Sequence, residues 1–125
     1  MLAMPSARAD SCPSADQVHS RKISRDYEWT VDEGVTLKEI LSVTRLRAVA
    51  VQNAGEFIIC GYDRGKGENL NLYAKPKGKL CVVTRAGGKW HKSDAGDLSC
   101  RENDPEQCRF QFNCAGPAQP LPKKK

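Results

Sequence analysis

Six cysteines in a chain of 125 residues offer three kinds of chemistry: zinc binding, thiol redox reactions or disulfide formation. Structural zinc sites and thioredoxin-like redox sites use cysteines spaced as C-x-x-C. No C-x-x-C occurs in this chain, whose closest two cysteines are Cys108 and Cys114. An even number of cysteines at this density is typical of exported, disulfide-bonded proteins. We therefore predict three disulfides, no metal site and no cofactor.

The order of disulfide pairing is open from the sequence, because six cysteines allow 15 arrangements. The polar segment between Cys100 and Cys108 contains a natural turn, so closing a loop between these two is easy. If Cys108 to Cys114 forms a strand, its ends lie about 20 Å apart, which is too far for a bond. Elimination leaves two further predicted pairs: Cys60–Cys81 and Cys12–Cys114.

Enzymatic chemistry has two candidate clusters around the histidines. His91 lies close to Ser93 and Asp94, which could serve as nucleophile and orienting carboxylate. His19 and His91 could instead form a ribonuclease-like phosphate site if the fold brought them together. No G-x-S-x-G, H-E-x-x-H or G-x-x-x-x-G-K-[ST] pattern occurs in the chain. A small secreted hydrolase or nuclease is therefore an alternative and not the main hypothesis.

The net charge of +5 is not concentrated in a patch. Arg8 and Lys123–Lys125 lie near the two ends, while elsewhere Lys and Arg alternate with Asp and Glu. Nucleic-acid binding surfaces normally need a clustered basic stripe within the fold, so we expect no specific nucleic acid. A run of about 20 apolar residues is also absent, so we expect no membrane span.

The two ends of the chain differ in composition from the middle. Ala7-Arg8-Ala9 has the small-x-small pattern of a signal-peptidase site, so Met1–Ala9 is predicted to be a signal-peptide remnant or a disordered start. Residues 10–114 are predicted to form a single disulfide-stabilised domain, expected to be a monomer. The tail of residues 115–125 is rich in Pro and Lys and is predicted to be disordered.

Capping boxes predict two short helices. Ser14 with Gln17 predicts a helix over Ser14–Arg21, and Thr36 with Glu39 predicts a helical turn or two. Five other segments have the alternation or the apolar character of strands: Tyr27–Val31, Leu46–Gln52, Glu56–Tyr62, Asn69–Ala74 and Lys79–Arg85. The last four are joined by Gly-containing turns, which predicts an α+β domain built on an antiparallel meander of four to five strands.

Two surfaces are candidates for binding a partner. The loop Asp63–Glu68 carries Arg64 and Lys66 and could enter the active-site cleft of a lysozyme-like hydrolase. An edge that combines Tyr62 and Tyr73 with Lys75, Lys77 and Lys79 is a second possibility. The lysines around Pro76 also fit the protection of an edge strand against aggregation, which is the interpretation we favour.

The segments CPSADQV, YEWTV, EFIICGYD, NLNLYAK and CRFQF resemble a group of small exported proteins of Gram-negative bacteria, including pathogens of the Burkholderia and Legionella kind, largely of unknown function. The resemblance covers most of residues 12–112, and its motifs are Cys, Trp and strand cores. It implies a periplasmic or secreted domain that could be a surface antigen, and it transfers no active-site residue. The main hypothesis is a non-enzymatic exported binding module with an unknown protein partner.

Overall fold

The structure is a computed structural model, and it describes residues 10–20, 23, 26–52, 55–78 and 80–114. The predicted signal-peptide remnant (1–9) and the predicted tail (115–125) lie outside these residues. The boundaries of the predicted domain therefore stay predictions.

Within the described residues the chain forms two α-helices and eight strands. The helices are α1 (Ala15–His19) and α2 (Leu37–Ile40). The strands are β1 (Tyr27–Val31), β2 (Val43–Val51), β3 (Ile58–Arg64), β4 (Glu68–Pro76), β5 (Cys81–Gly88), β6 (His91–Lys92), β7 (Leu98–Cys100) and β8 (Cys108–Cys114).

Both predicted capping boxes are present. The hydroxyl of Ser14 accepts a hydrogen bond from the backbone N–H of Gln17, and Thr36 does the same for Glu39. Each helix is short because only one or two apolar side chains face the core, and a short helix gains its stability from such packing. Val18 is the buried residue of α1.

Six strands form an antiparallel sheet in the order β1-β4-β3-β2-β7-β6. Strands β2, β3 and β4 are consecutive neighbours, which confirms the central part of the predicted meander. One face of the sheet, called the inner face, carries the row Val31, Leu72, Cys60, Val49 and Cys100. The N-terminal segment, α1, β5 and β8 cover this face, and Cys12, Val18, Val83 and Phe110 join the same core.

The prediction that the segment after β4 extends the meander is wrong. Strand β5 pairs with β8 in a separate two-stranded sheet. The reason is that β4 has only two edges: β3 occupies one, and β1 occupies the other through the pair Trp29↔Ala74. The prediction of four to five strands was accordingly too low, although antiparallel sheet with two short helices is what the structure shows.

The structure contains three disulfides, and Cys100–Cys108 is one of them, as predicted. The other two predicted pairings, Cys60–Cys81 and Cys12–Cys114, are wrong. Cys60 lies on the inner face of β3, where the N-terminal segment places Cys12 against it. Cys81 opens β5 and Cys114 ends β8, and the register of these two strands sets them opposite each other.

The N-terminal segment is attached to both sheets. Beside the Cys12–Cys60 disulfide, the hydroxyl of Tyr62 donates to the backbone oxygen of Pro13. Asp10 pairs with Phe110 of β8 through two backbone hydrogen bonds of 2.8 and 2.9 Å. The carboxylate of Asp10 also accepts a hydrogen bond from the hydroxyl of Tyr27. These contacts fix the position of the inner layer relative to the six-stranded sheet.

Candidate binding surface

The two histidines do not come together. His19 hydrogen-bonds the backbone oxygen of Val43 through Nε2 at 2.7 Å, at the start of β2. His91 lies opposite Ser99, which in turn lies opposite Ala50 near the end of β2. Seven residues of strand separate Val43 from Ala50, so the two imidazoles are roughly 20 Å apart. The ribonuclease-like pairing of His19 with His91 is therefore wrong.

The cluster around His91 is part of a turn. The hydroxyl of Ser93 accepts a hydrogen bond from the backbone N–H of Asp97 at 3.1 Å, and the backbone N–H of Ser93 donates to the oxygen of Asp97. His91 itself is exposed on the short strand β6. The Ser93 hydroxyl thus closes a turn, which accounts for this cluster without a catalytic role.

The loop between β3 and β4 contains Arg64 and Lys66, the predicted interaction residues. It is a tight connection in which Gly65–Gly67 forms a single 3-10 turn that includes Lys66. Arg64 lies against the domain: its Nε donates to Ser42 at 2.8 Å, and its Nη1 is 3.3 Å from a carboxylate oxygen of Glu39. With 17% of its side chain exposed, Arg64 does not extend from the loop.

The predicted combination of Tyr62 and Tyr73 in one surface is also wrong, because the two side chains lie on opposite faces of the sheet. Tyr62 is fully buried on the inner face. Tyr73 pairs with Thr30 on one side and Ile59 on the other, and these residues point away from the core. We call this second surface the outer face.

The outer face has a small cleft at its β1 side. The cleft has a volume of about 300 Å³ and is lined by Glu28, Thr30, Phe57, Tyr73, Ala74 and Lys75. The rings of Phe57 and Tyr73 meet edge to face, with centroids 5.8 Å apart. One wall of the cleft is thus aromatic. The other lining residues supply a carboxylate (Glu28), an ammonium group (Lys75) and a hydroxyl group (Thr30).

Tyr73 is held in place by its neighbours. Its hydroxyl donates to Asp32 Oδ1 at 2.9 Å. Partial burial and then the hydrogen bond to Asp32 raise the pKa of Tyr73, so the phenol stays protonated. A ring fixed in this way loses little freedom when a partner packs on it.

The centre of the outer face is shallow because its residues are small. Gly61 of β3 lies beside Ala48 of β2 and Asn71 of β4. A methyl group added at Gly61 would lie 3.3 Å from the side-chain oxygen of Asn71, which shows that the amide reaches across the glycine. Ala50 and Ile59 continue this surface toward the cleft.

Positive charge stands at the opposite end of the outer face. Arg45 Nε lies 2.8 Å from Asp63 Oδ2, and Arg47 Nε lies 3.9 Å from Asp63 Oδ1. The two arginine side chains are 64% and 54% exposed, and that of Asp63 is 26% exposed. A single carboxylate thus hydrogen-bonds Arg45 and lies within ion-pair distance of Arg47.

A second, larger groove lies on the inner side of β1. Its volume is about 710 Å³, and its lining includes Val18, Trp29, Leu37 and Ile40. The groove borders Ile23, whose sequence neighbours on both sides lie outside the described residues. We assign no site to this groove.

Neither a metal-binding cluster nor a membrane-spanning helix is found among the described residues. No group of three or more His, Cys, Asp or Glu side chains among these residues is arranged to hold a metal ion. The helices described there are too short and too polar for any of them to cross a membrane.

The sequence predicted which side chains of one strand belong to the outer face, but not how the strands align. Alternation in Asn69–Ala74 predicts that Leu70 and Leu72 point inward, and both are buried. The same alternation places Tyr73 outward. It could not show that Phe57, Thr30 and Tyr73 come together, because this depends on how three strands align.

Comparison with known proteins gives one match. Residues 6–111 match a family described as "Protein of unknown function (DUF3757)". No curated protein and no solved structure matches the chain. The matched residues include both helices, β1 to β7 and five of the six cysteines. The chain therefore belongs to the DUF3757 family.

Proposed function

We propose that this protein is an exported, non-enzymatic bacterial binding module that contacts a protein partner through the outer face of its six-stranded sheet. The observation that carries the proposal is the cleft beside Phe57 and Tyr73. A cleft of about 300 Å³ is at the lower end of the range for ligand pockets, and it suits one large side chain of a partner.

The composition of the outer face supports a protein partner. Protein interfaces are enriched in aromatic residues and arginine, and a few aromatic or arginine residues contribute most of the binding energy. Tyr73 and Phe57 stand at one end of the face, and Arg45 and Arg47 stand at the other. The small residues between them would allow close approach of a flat partner surface.

The rigidity of the sheet supports the same proposal. The strand β3, the neighbour of β4, is linked covalently to the N-terminal segment by Cys12–Cys60, and β7 on the other side of the sheet is linked to β8 by Cys100–Cys108. A surface that keeps its shape before binding avoids part of the entropic cost of association.

Export is supported by the cysteines, all of which are disulfide-bonded. Disulfides form and persist in oxidising compartments such as the bacterial periplasm and the extracellular space. We therefore propose a periplasmic or secreted location.

Site-specific crosslinking tests the proposed function. A photoreactive phenylalanine analogue placed at Tyr73 should yield a discrete crosslinked product with a periplasmic or host-cell extract. The matched control carries the same group at Val82, which is 45% exposed on β5 of the other sheet. The partner identified by mass spectrometry should then bind the purified protein, and Tyr73→Ala with Phe57→Ala should weaken that binding by about tenfold or more. Equal crosslinking from positions 73 and 82 would contradict the proposal.

A further inference from the structure

We infer that the partner presents carboxylates to Arg45 and Arg47, so that the outer face binds an acidic protein surface. This inference rests on the proposed function and names the chemistry of the partner. It starts from the arrangement of two guanidinium groups around one carboxylate.

The geometry leaves donors available on both arginines. Each guanidinium group has five N–H donors, and the contacts of Arg45 and Arg47 with Asp63 are made through Nε. In a guanidinium group one terminal N–H lies parallel to the Nε–H, while the outer edge formed by the two terminal nitrogens is directed away from a partner at Nε. This pair of terminal nitrogens is the part of arginine that matches a carboxylate in a bidentate arrangement.

The charge at this end of the outer face is positive. One carboxylate, Asp63, stands between two arginines, which leaves an excess of one positive charge in the group. A further basic residue, Arg101, directly follows Cys100, the last residue of β7, and is exposed.

The cleft and the arginines can contact one partner at the same time. Tyr73 on β4 and Arg45 on β2 are separated by β3, which gives a lateral distance of about 10 Å. Their partners on β3, Ile59 and Asp63, are offset by about 13 Å along the strand, so the two groups lie roughly 16 Å apart. A typical protein interface covers about 800 Å² on each partner and easily spans this distance. The inferred partner thus combines a large side chain for the cleft with carboxylates roughly 16 Å away from it.

The residues between the two ends favour a protein over a nucleic acid. Gly61, Ala48, Ala50 and Ile59 give a small, largely apolar surface between the cleft and the arginines. Nucleic-acid binding needs a continuous basic groove along the phosphate backbone. Carboxylates of Glu28 and Asp63 interrupt such a groove on this face.

Binding to immobilised poly-L-glutamate tests the inference, with heparin of matched charge density as the second probe. The variant Arg45→Gln/Arg47→Gln should lose about tenfold or more of the affinity for poly-L-glutamate. The control Lys38→Gln/Arg85→Gln removes the same charge from exposed positions outside the outer face and should change affinity by less than about threefold. Thermal unfolding of each variant shows whether the fold is retained. The variant Arg45→Lys/Arg47→Lys keeps the positive charge and removes the guanidinium groups, so it tests whether guanidinium geometry contributes to binding.

Three outcomes would overturn the inference. Equal losses in the two double glutamine variants would show that only net charge matters. Tighter binding to heparin than to poly-L-glutamate, with the same dependence on Arg45 and Arg47, would identify a sulfated or phosphorylated polymer instead. No binding of the unmodified protein to poly-L-glutamate would also contradict it.

A further pair of substitutions distinguishes failure of the inference from failure of the proposed function. Phe57→Ala with Tyr73→Ala should leave binding to poly-L-glutamate within about twofold, because this polymer has no side chain that fills an aromatic cleft. A specific crosslink at position 73 together with failure on poly-L-glutamate would keep the outer face as the binding surface and reject the acidic partner.

Discussion

The hydroxyl of Tyr62 lies 2.6 Å from the backbone oxygen of Pro13 and donates a hydrogen bond to it inside the core. Cys60, two residues earlier on β3, is bonded to Cys12, which directly precedes Pro13. A covalent bond and a buried hydrogen bond thus connect the same two pieces of chain. The first joins their side chains, and the second satisfies a carbonyl group that has no access to water.

Replacement of Tyr62 by Phe should lower the free energy of unfolding by about 1–3 kcal/mol, because the carbonyl oxygen of Pro13 would lose its partner while still buried. Urea unfolding with intact disulfides measures this change. Tyr73→Phe is the control, since it removes a hydroxyl that is exposed and bonded to Asp32. We expect a loss of less than about 1 kcal/mol there. Equal losses in the two variants would contradict the buried role of the Tyr62 hydroxyl.

Stability should fall at alkaline pH, and Tyr62 should contribute to the fall. Burial raises the pKa of Tyr62 well above its usual value of 10.0. Above that value the unfolded chain loses the phenol proton while the folded protein keeps it, so the unfolded state is favoured as the pH rises. This stabilisation is fully present below pH 10.0 and is lost progressively above it.

Urea unfolding at several pH values between about 9 and 11 tests this dependence. The group can contribute a slope of at most about 1.4 kcal/mol per pH unit. Tyr62→Phe should show a shallower fall than the unmodified protein over the same range. Identical slopes would mean that Tyr62 ionises as readily in the folded protein as in the unfolded chain.

Peptide mapping without reduction should find the pairs Cys12–Cys60, Cys81–Cys114 and Cys100–Cys108. Removing Cys12–Cys60 by double replacement with Ala should then cost about 4 kcal/mol, and removing Cys100–Cys108 about 2.5 kcal/mol, from the loop lengths of 48 and 8 residues. Chemical unfolding of the two double variants gives the comparison. A linked peptide containing Cys60 and Cys81 would contradict the fold described here.

Gly88→Ala should destabilise the protein by about 2–3 kcal/mol. Gly88 has φ of +106°, and a methyl group there would overlap the backbone oxygen of Gln107, which already accepts a hydrogen bond from Lys89. Gly87→Ala is a matched control, because nothing lies within 4 Å of the position of its Cβ. Thermal unfolding of both variants should show a much larger fall in Tm for Gly88→Ala, and similar falls would contradict the close approach of β5 to Gln107.

Arg64→Ala should reduce stability by about 1 kcal/mol without changing partner binding at the outer face. The reason is that Arg64 contacts Glu39, Glu68 and Ser42 within the domain. Urea unfolding and the crosslink at position 73 are the two measurements. If Arg64→Ala instead left stability unchanged and abolished inhibition of a lysozyme-like hydrolase, the loop Asp63–Glu68 would be the functional surface.

Local patterns in the sequence were sufficient for much of the secondary structure. The capping boxes at Ser14 and Thr36 act over three residues, so their helices can be predicted without knowledge of the rest of the chain. Alternation in Tyr27–Val31 predicted β1 with its observed bounds. The Cys100–Cys108 pair was predictable for the same reason, since eight residues separate its members.

Tertiary structure decided the rest, because it depends on which strand occupies each edge of its neighbours. Strand β1 occupies the free edge of β4, and β5 must pair elsewhere, with β8. The pairing of β5 with β8 sets Cys81 opposite Cys114, and the N-terminal segment on the inner face supplies Cys12 to Cys60. The outer face follows from the same alignment: Tyr73, Thr30 and Ile59 come from three strands whose register is set by contacts distant in sequence. Local patterns determine which residues can form a strand, and only long-range packing determines which strands stand side by side.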